Sequence, residues 1–328
     1  MLELFRKNHF FNSLLLLPYS ILLAVDGFFV HREIHFKGDS PLYELTFSWL
    51  DGHPVWNVIF AAFLLFIQAA MINRLVIQHR MSRVISLLPG LTYIVLMNAV
   101  PAVRGVHDIL IANTFLLLFL LNCFQIIRLY NTQKNIFNMG FFAAFSAFFF
   151  PGYLVLIIYM LIAMLILRNF SMRELRQALT GFVTVMILIG CLYYVLDEMN
   201  QFLDLFGVFR LKNWLVLLDF SSIRSGLILI VTYILLIIAV LNFYKLQNKQ
   251  SIKEQKKIKL IYWLMLLSLP GLWFVPALWV EDILQLSIPL GIILGMVIAG
   301  WKMKLAAEFI HIIVVIGILY LHFQQYYI

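Results

Sequence analysis

The chain has 328 residues, 63% of them hydrophobic and 12% charged, where soluble domains carry about 45–50% apolar and about 25% charged residues. That balance excludes a soluble globular fold. A net charge of +8 would suit nucleic acid if the cations shared one face, but they line the edges of long apolar runs, which points to a membrane and away from nucleic acid.

Eleven continuous apolar runs follow one another, near residues 10–30, 55–76, 84–100, 108–129, 137–151, 152–168, 178–196, 223–244, 260–280, 283–300 and 305–324. Continuous runs of roughly 17 to 25 residues cross a hydrocarbon core as helices, whereas barrel strands would alternate. The expected fold is all-α, a polytopic bundle of about 11 transmembrane helices in a single membrane domain over residues 1–328. The first run follows the basic leader Arg6 and Lys7 but is long and has no small-x-small cleavage site, so it reads as an uncleaved helix. With the N-terminus cytoplasmic, every Lys and Arg falls inside except Arg32, Lys37, Arg104, Arg210, Lys212 and Arg224, while the outer side holds most of the acids. This places the C-terminus in the periplasm and the chain in a bacterial inner membrane.

The outer loop of residues 31–53 packs acids, histidines and bases around an apolar stretch, Leu42 to Leu50, which predicts a short interfacial helix begun by Pro41 and ended by Gly52. His31 and His35, with Glu33 between them, have the spacing of a divalent-metal pair, although Arg32 and Lys37 beside them also fit a plain surface loop. A shorter outer turn, Pro101 to Asp108, carries Arg104, His107 and Asp108 where the fourth helix begins; an acid there also favours the helix dipole. Pro89-Gly90, Pro151-Gly152 and Pro270-Gly271 read as kinks or turns. Asn73, Asn98, Asn113 and Asn122 are candidates for hydrogen bonds between helices.

Further along, residues 197–222 form an outer amphipathic loop and residues 223–328 supply the C-terminal helices. The Lys-rich stretch Lys245 to Lys259 is the largest inner loop, with the composition of a solvated positive-inside segment that can touch anionic headgroups. Glu308 and His311 share a face of the last helix, with Lys304 as a local partner. Cys123 and Cys191 both fall within predicted helices and offer no disulfide or zinc motif. Charges near mid-span are few, which argues against ion-coupled transport. Outer carboxylates can deprotonate an acceptor and outer Arg or Lys can bind a phosphate, so the loop pattern suits a reaction at the lipid surface.

Three segments carry a family resemblance: Gly38-Asp39-Ser40-Pro41-Leu42-Tyr43, the turn Pro101 to Asp108, and Asn138-Met139-Gly140-Phe141-Phe142-Ala143-Ala144 ahead of Pro151. Over residues 10–196 their order resembles the membrane core of the C-type glycosyltransferase superfamily, which uses polyprenyl-phosphate sugars at the outer face. The resemblance implies that Asp39 is the catalytic or metal-positioning acid, that His107 and Asp108 line the same cavity, and that Arg104, Arg210 and Lys212 bind the lipid phosphate. Two features depart from the pattern: Ser40 follows Asp39 in place of a second acid, and no large outer domain follows the last helix. The whole chain also resembles an uncharacterised family of bacterial inner-membrane proteins, which implies no activity. The expected partners are membrane lipid, a polyprenyl-phosphate-sugar donor and envelope proteins. A non-catalytic envelope scaffold and a lipid or small-molecule transporter are the alternative functions.

Overall fold

The computed structural model describes residues 2–28, 40–50, 52–100, 105–127, 132–167, 171–204, 223–248, 250–275 and 280–324. Among them every regular element is helical. The α-helices are α1 (Leu2–Arg6), α2 (Phe10–Leu14), α3 (Leu16–Leu23), α4 (Pro41–Phe47), α5 (Pro54–Gln78), α6 (Leu88–Met97), α7 (Asp108–Gln125) and α8 (Gln133–Phe149). They continue as α9 (Leu156–Leu167), α10 (Met172–Val195), α11 (Met199–Asp204), α12 (Ile223–Leu241), α13 (Phe243–Gln247), α14 (Ile252–Gly271), α15 (Ser287–Ala299) and α16 (Lys304–Gln324).

Each apolar run contains a helix, and 5 of the described helices are long and apolar enough to cross a membrane: α5, α7, α10, α15 with its preceding turn, and α16. The run at 84–100 is helical over only 10 residues, about 15 Å or half a hydrocarbon core. Pro89 and Gly90 sit in the first turn of that short helix. Pro151-Gly152 begins the 3-10 turn that joins α8 to α9, and Pro270-Gly271 closes α14. All three pairs therefore mark helix ends; Pro89 and Pro151 fall in a first turn, where a missing N–H costs least, and Pro270 in a last turn, where it removes one bond of the helix.

Glycines set the closest approaches. A Cβ on Gly140 of α8 would collide with the Ala178 carbonyl of α10, and one on Gly181 of α10 would collide with the Phe137 carbonyl of α8. This is the small-residue packing expected where lipid supplies no hydrophobic drive between helices. Gly291 and Gly295 of α15 lie against Tyr93 and Pro89 of α6 in the same way. Two Pro-Gly joints abut: a Cβ on Gly271 would lie 2.6 Å from the Gly152 carbonyl oxygen. Centre and rim follow from burial, with 83% of the α15 span inside the protein against 17% of α16. The outer face of α16, with Phe309, Ile313, Ile316 and Tyr320 exposed, is built for lipid.

The two ends of the bundle differ. At one end, cations meet helix C-termini, where unpaired carbonyls and the helix dipole attract them. Arg6 donates to the Ile298 and Ala299 carbonyls at 3.3 and 3.5 Å, closing α15. Buried Lys257 donates to the His79 carbonyl at 3.4 Å, closing α5. Lys304 lies 3.5 Å from Glu3 of α1, and His311 stacks on Tyr19 of α3 and shares a 3.2 Å hydrogen bond with its hydroxyl. The opposite end carries α4, the turn before α7 and the contact from His322 to the Asn98 carbonyl at 3.0 Å.

Candidate functional site

At that second end, α4 is capped by Ser40, whose Oγ accepts from the Tyr43 N–H at 3.4 Å. A short helix thus forms within the stretch expected, with Ser48–Leu50 continuing it as a 3-10 turn. Ser40 Oγ also donates to the Phe148 carbonyl at 2.9 Å, and the buried Tyr43 hydroxyl donates to the Val106 carbonyl at 2.6 Å. From α5, Asn57 Oδ1 accepts the Val106 N–H at 2.6 Å. The Val106 backbone is therefore held at both its N–H and its carbonyl, by two elements distant in sequence. Gly105 is needed there, since a Cβ would lie 2.6 Å from Asn57 Oδ1.

The clamped turn delivers His107 and Asp108. His107 is 4% exposed and its Nδ1 donates to the Gly105 carbonyl at 3.0 Å. Burial lowers its pKa from 6.5 to about 4, only partly offset by that bond, so the imidazole is neutral at pH 7. Asp108 is 6% exposed and opens α7, its Oδ1 accepting the Ile109 N–H at 2.7 Å. It also lies within electrostatic reach of the Tyr153 hydroxyl.

Tyr153 belongs to a buried polar network that threads the bundle. Its hydroxyl donates to Asn113 Oδ1 at 2.5 Å and lies 3.4 Å from the Gln285 carbonyl. Asn113 Nδ2 lies 3.3 Å from the Tyr93 hydroxyl and 3.4 Å from Ser287 Oγ. Tyr93 donates to Gln68 Oε1 at 2.5 Å, and Gln68 Nε2 donates to the Leu110 carbonyl at 2.6 Å and to Thr114 Oγ1 at 2.7 Å. Gln285 Nε2 donates to the Ser268 carbonyl of α14. Neutral side chains thus join α5, α6, α7, α14 and α15 where apolar packing alone would leave register unspecified.

Of the sequence-derived site residues, His107 and Asp108 are brought together beneath α4. Asp39, Arg104, Arg210 and Lys212 lie outside the described residues, although the chain neighbours of Asp39 and Arg104 both belong to the clamped region. His31, Glu33 and His35 also lie outside them, and among the described residues no three His, Cys, Asp or Glu are grouped to hold a metal. The expectation for asparagines holds for Asn113, for Asn73, whose Oδ1 accepts the Gly90 N–H of α6 at 2.8 Å, and for Asn122, whose Oδ1 lies 3.4 Å from Asn138 Nδ2 of α8. Asn98 Nδ2 instead donates to its own helix at Ile94. Sequence reasoning passed over Gln68, Tyr93, Tyr153 and Gln285, for which the available signal was a polar side chain within an apolar run.

No curated protein and no solved structure matches the chain. The model of a family of unknown function, DUF6427, matches residues 45–327, which takes in the C-terminal helices and leaves out the segment Gly38 to Tyr43. No glycosyltransferase family is among the matches. With most of its length covered, the chain belongs to this family of unknown function, DUF6427.

Proposed function

We propose that the protein is a polytopic inner-membrane protein of about 11 spans whose α4 end faces the periplasm and acts on a polyprenyl-phosphate-linked sugar in the manner of C-type glycosyltransferases. The observation that supports this reading is the meeting of two acid-bearing segments: Ser40 and Tyr43, next to Asp39, are fastened onto the end of α8 and the turn that carries His107 and Asp108. In the transfer, the acceptor hydroxyl loses its proton to a carboxylate, Asp39 in this reading. Its oxygen attacks the anomeric carbon, and the bond from that carbon to the phosphate oxygen breaks. The electron pair leaves with polyprenyl phosphate, whose charge Arg104, Arg210 and Lys212 would bind.

A second reading, a non-catalytic scaffold of an envelope complex, draws on a different observation. His107 and Asp108 are both more than nine-tenths buried, and the interior beside them is filled by the tyrosine, asparagine and glutamine network.

Native mass spectrometry of the purified full chain with polyprenyl phosphate and, in parallel, the uncharged polyprenol separates the two. The transferase reading expects selective retention of the phosphate form, weakened by Arg104→Gln and kept by Asp39→Asn, with Asp39→Asn abolishing sugar transfer. Equal retention of both lipids, or full transfer by Asp39→Asn, overturns it.

A further inference from the structure

At the end opposite α4, helix α14 begins among lysines and runs into the apolar bundle. Along one side of it lie the exposed Ile252, Lys259, Trp263, Leu266 and Pro270, with Lys256 half-buried among them. The spacing alternates between four and three residues, so these positions form one stripe along the helix. Trp263 and Leu266 on the stripe are 39% and 53% exposed, which is a surface for acyl chains rather than water. Lys259 precedes Trp263 by one turn, about 6 Å, and Lys256 by about 10 Å. A tryptophan marks the level where hydrocarbon gives way to headgroups, which would set Lys256 and Lys259 at the depth of lipid phosphates.

Neighbouring contacts leave that charge available. The carboxylate of α14, Glu254, accepts the Ser251 N–H at 3.0 Å as part of the helix cap. The buried Lys257 is turned inward to the His79 carbonyl. Beside the stripe, α13 is held against α14 by the edge-on rings of Phe243 and Tyr262, 4.7 Å apart, while Tyr262 also donates to the Ala239 carbonyl of α12 at 2.8 Å. It presents exposed Tyr244 and Lys245.

We propose that this stripe is a binding site for an acidic phospholipid of the adjoining leaflet, with Lys256 and Lys259 on the headgroup phosphate and Trp263 and Leu266 along the acyl chain. A merely solvated basic segment would have its lysines turned to water. Lys253, exposed and about 100° around the helix from the stripe, serves as the control. The site is independent of the α4 end and of the transferase reading.

The test uses the full-length protein in neutral detergent, titrated with phosphatidylglycerol, phosphatidylcholine or inorganic phosphate and read by native mass spectrometry and by thermal unfolding. Phosphatidylglycerol should be retained over phosphatidylcholine. Lys256→Gln with Lys259→Gln should weaken that retention by roughly 30-fold, at about fivefold per lysine near the surface, while Lys253→Gln changes it little. Equal retention of the two lipids, displacement by millimolar inorganic phosphate, or equal loss from Lys253→Gln would each overturn the proposal. The unfolding midpoint without lipid shows that the double variant is folded.

Discussion

Replacing Asn113 by Leu tests whether the buried network holds the bundle in register. Asn113 is fully buried and accepts a hydrogen bond from the Tyr153 hydroxyl at 2.5 Å, while its amide nitrogen lies 3.3 Å from the Tyr93 hydroxyl and 3.4 Å from Ser287 Oγ. Leucine keeps much of the volume and removes all three contacts, and the Tyr153 hydroxyl is then left with the Gln285 carbonyl at 3.4 Å, a long contact. Stranding a buried hydroxyl costs about 1–3 kcal/mol, whereas polar contacts between membrane helices average about 0.6 kcal/mol and reach about 1.7. Three such contacts at the average give a loss of about 2 kcal/mol, or roughly 30-fold in the unfolding constant. Asn242→Leu, at a site whose amide donates to Ile238 of its own helix, should change stability by less than about 0.5 kcal/mol. Reversible unfolding in mixed micelles reads both variants, and Tyr153→Phe completes a double-mutant cycle. The double variant should be about 1 kcal/mol less destabilised than the sum of the singles. Wild-type stability for Asn113→Leu, or strict additivity, would refute a structural role for the network.

Gly140→Val should be far worse than its chemistry suggests, because the new side chain meets the Ala178 carbonyl, a backbone atom that cannot step aside. The expected loss is about 3 kcal/mol or more, at the upper end for overpacking, seen as a lower unfolding midpoint, and Gly181→Val should match it from the other side. His107 contributes a pH dependence of definite sign. Its folded pKa of about 4 lies below the 6.5 of an unburied histidine, so between those values the unfolded chain binds more protons. Stability should therefore fall as pH drops from about 6.5 towards 4, by up to roughly 3 kcal/mol. His107→Gln should flatten that slope in an unfolding series across this pH range, and an unchanged slope would show that His107 is not the group responsible.

Most helices were legible in the sequence because each needs only a continuous apolar run, and the short α4 was legible because Ser40, Pro41 and Gly52 punctuate it. The short helix within the run at 84–100 was not, since hydropathy measures what a segment touches and cannot tell lipid from a protein interior. Tyr93 and Leu91 are buried against neighbouring helices, not against acyl chains. The pairing of His107 with Asp108 was visible as adjacency in the chain. Their enclosure was not, because it depends on Tyr43 and Asn57 reaching Val106 from 63 and 49 residues away. Nor was the convergence of Pro151-Gly152 with Pro270-Gly271, which needs the third dimension to bring two unremarkable turns together.

The reliance of α6 on α15 has a consequence for biosynthesis. Thr92 donates to the Gly291 carbonyl at 2.6 Å, 199 residues later in the chain, and Gly295 packs directly on Pro89. At about 5–20 residues per second, α6 leaves the ribosome roughly 10 to 40 seconds before its partner exists. During that interval a helix too short to span the bilayer has no finished surface to rest against. Its early neighbours, or the insertion machinery, must shelter it. A chain terminated before Ser287 would keep α6 in that waiting state permanently, an early segment condemned by a late one, and quality control would find the defect far from the truncation.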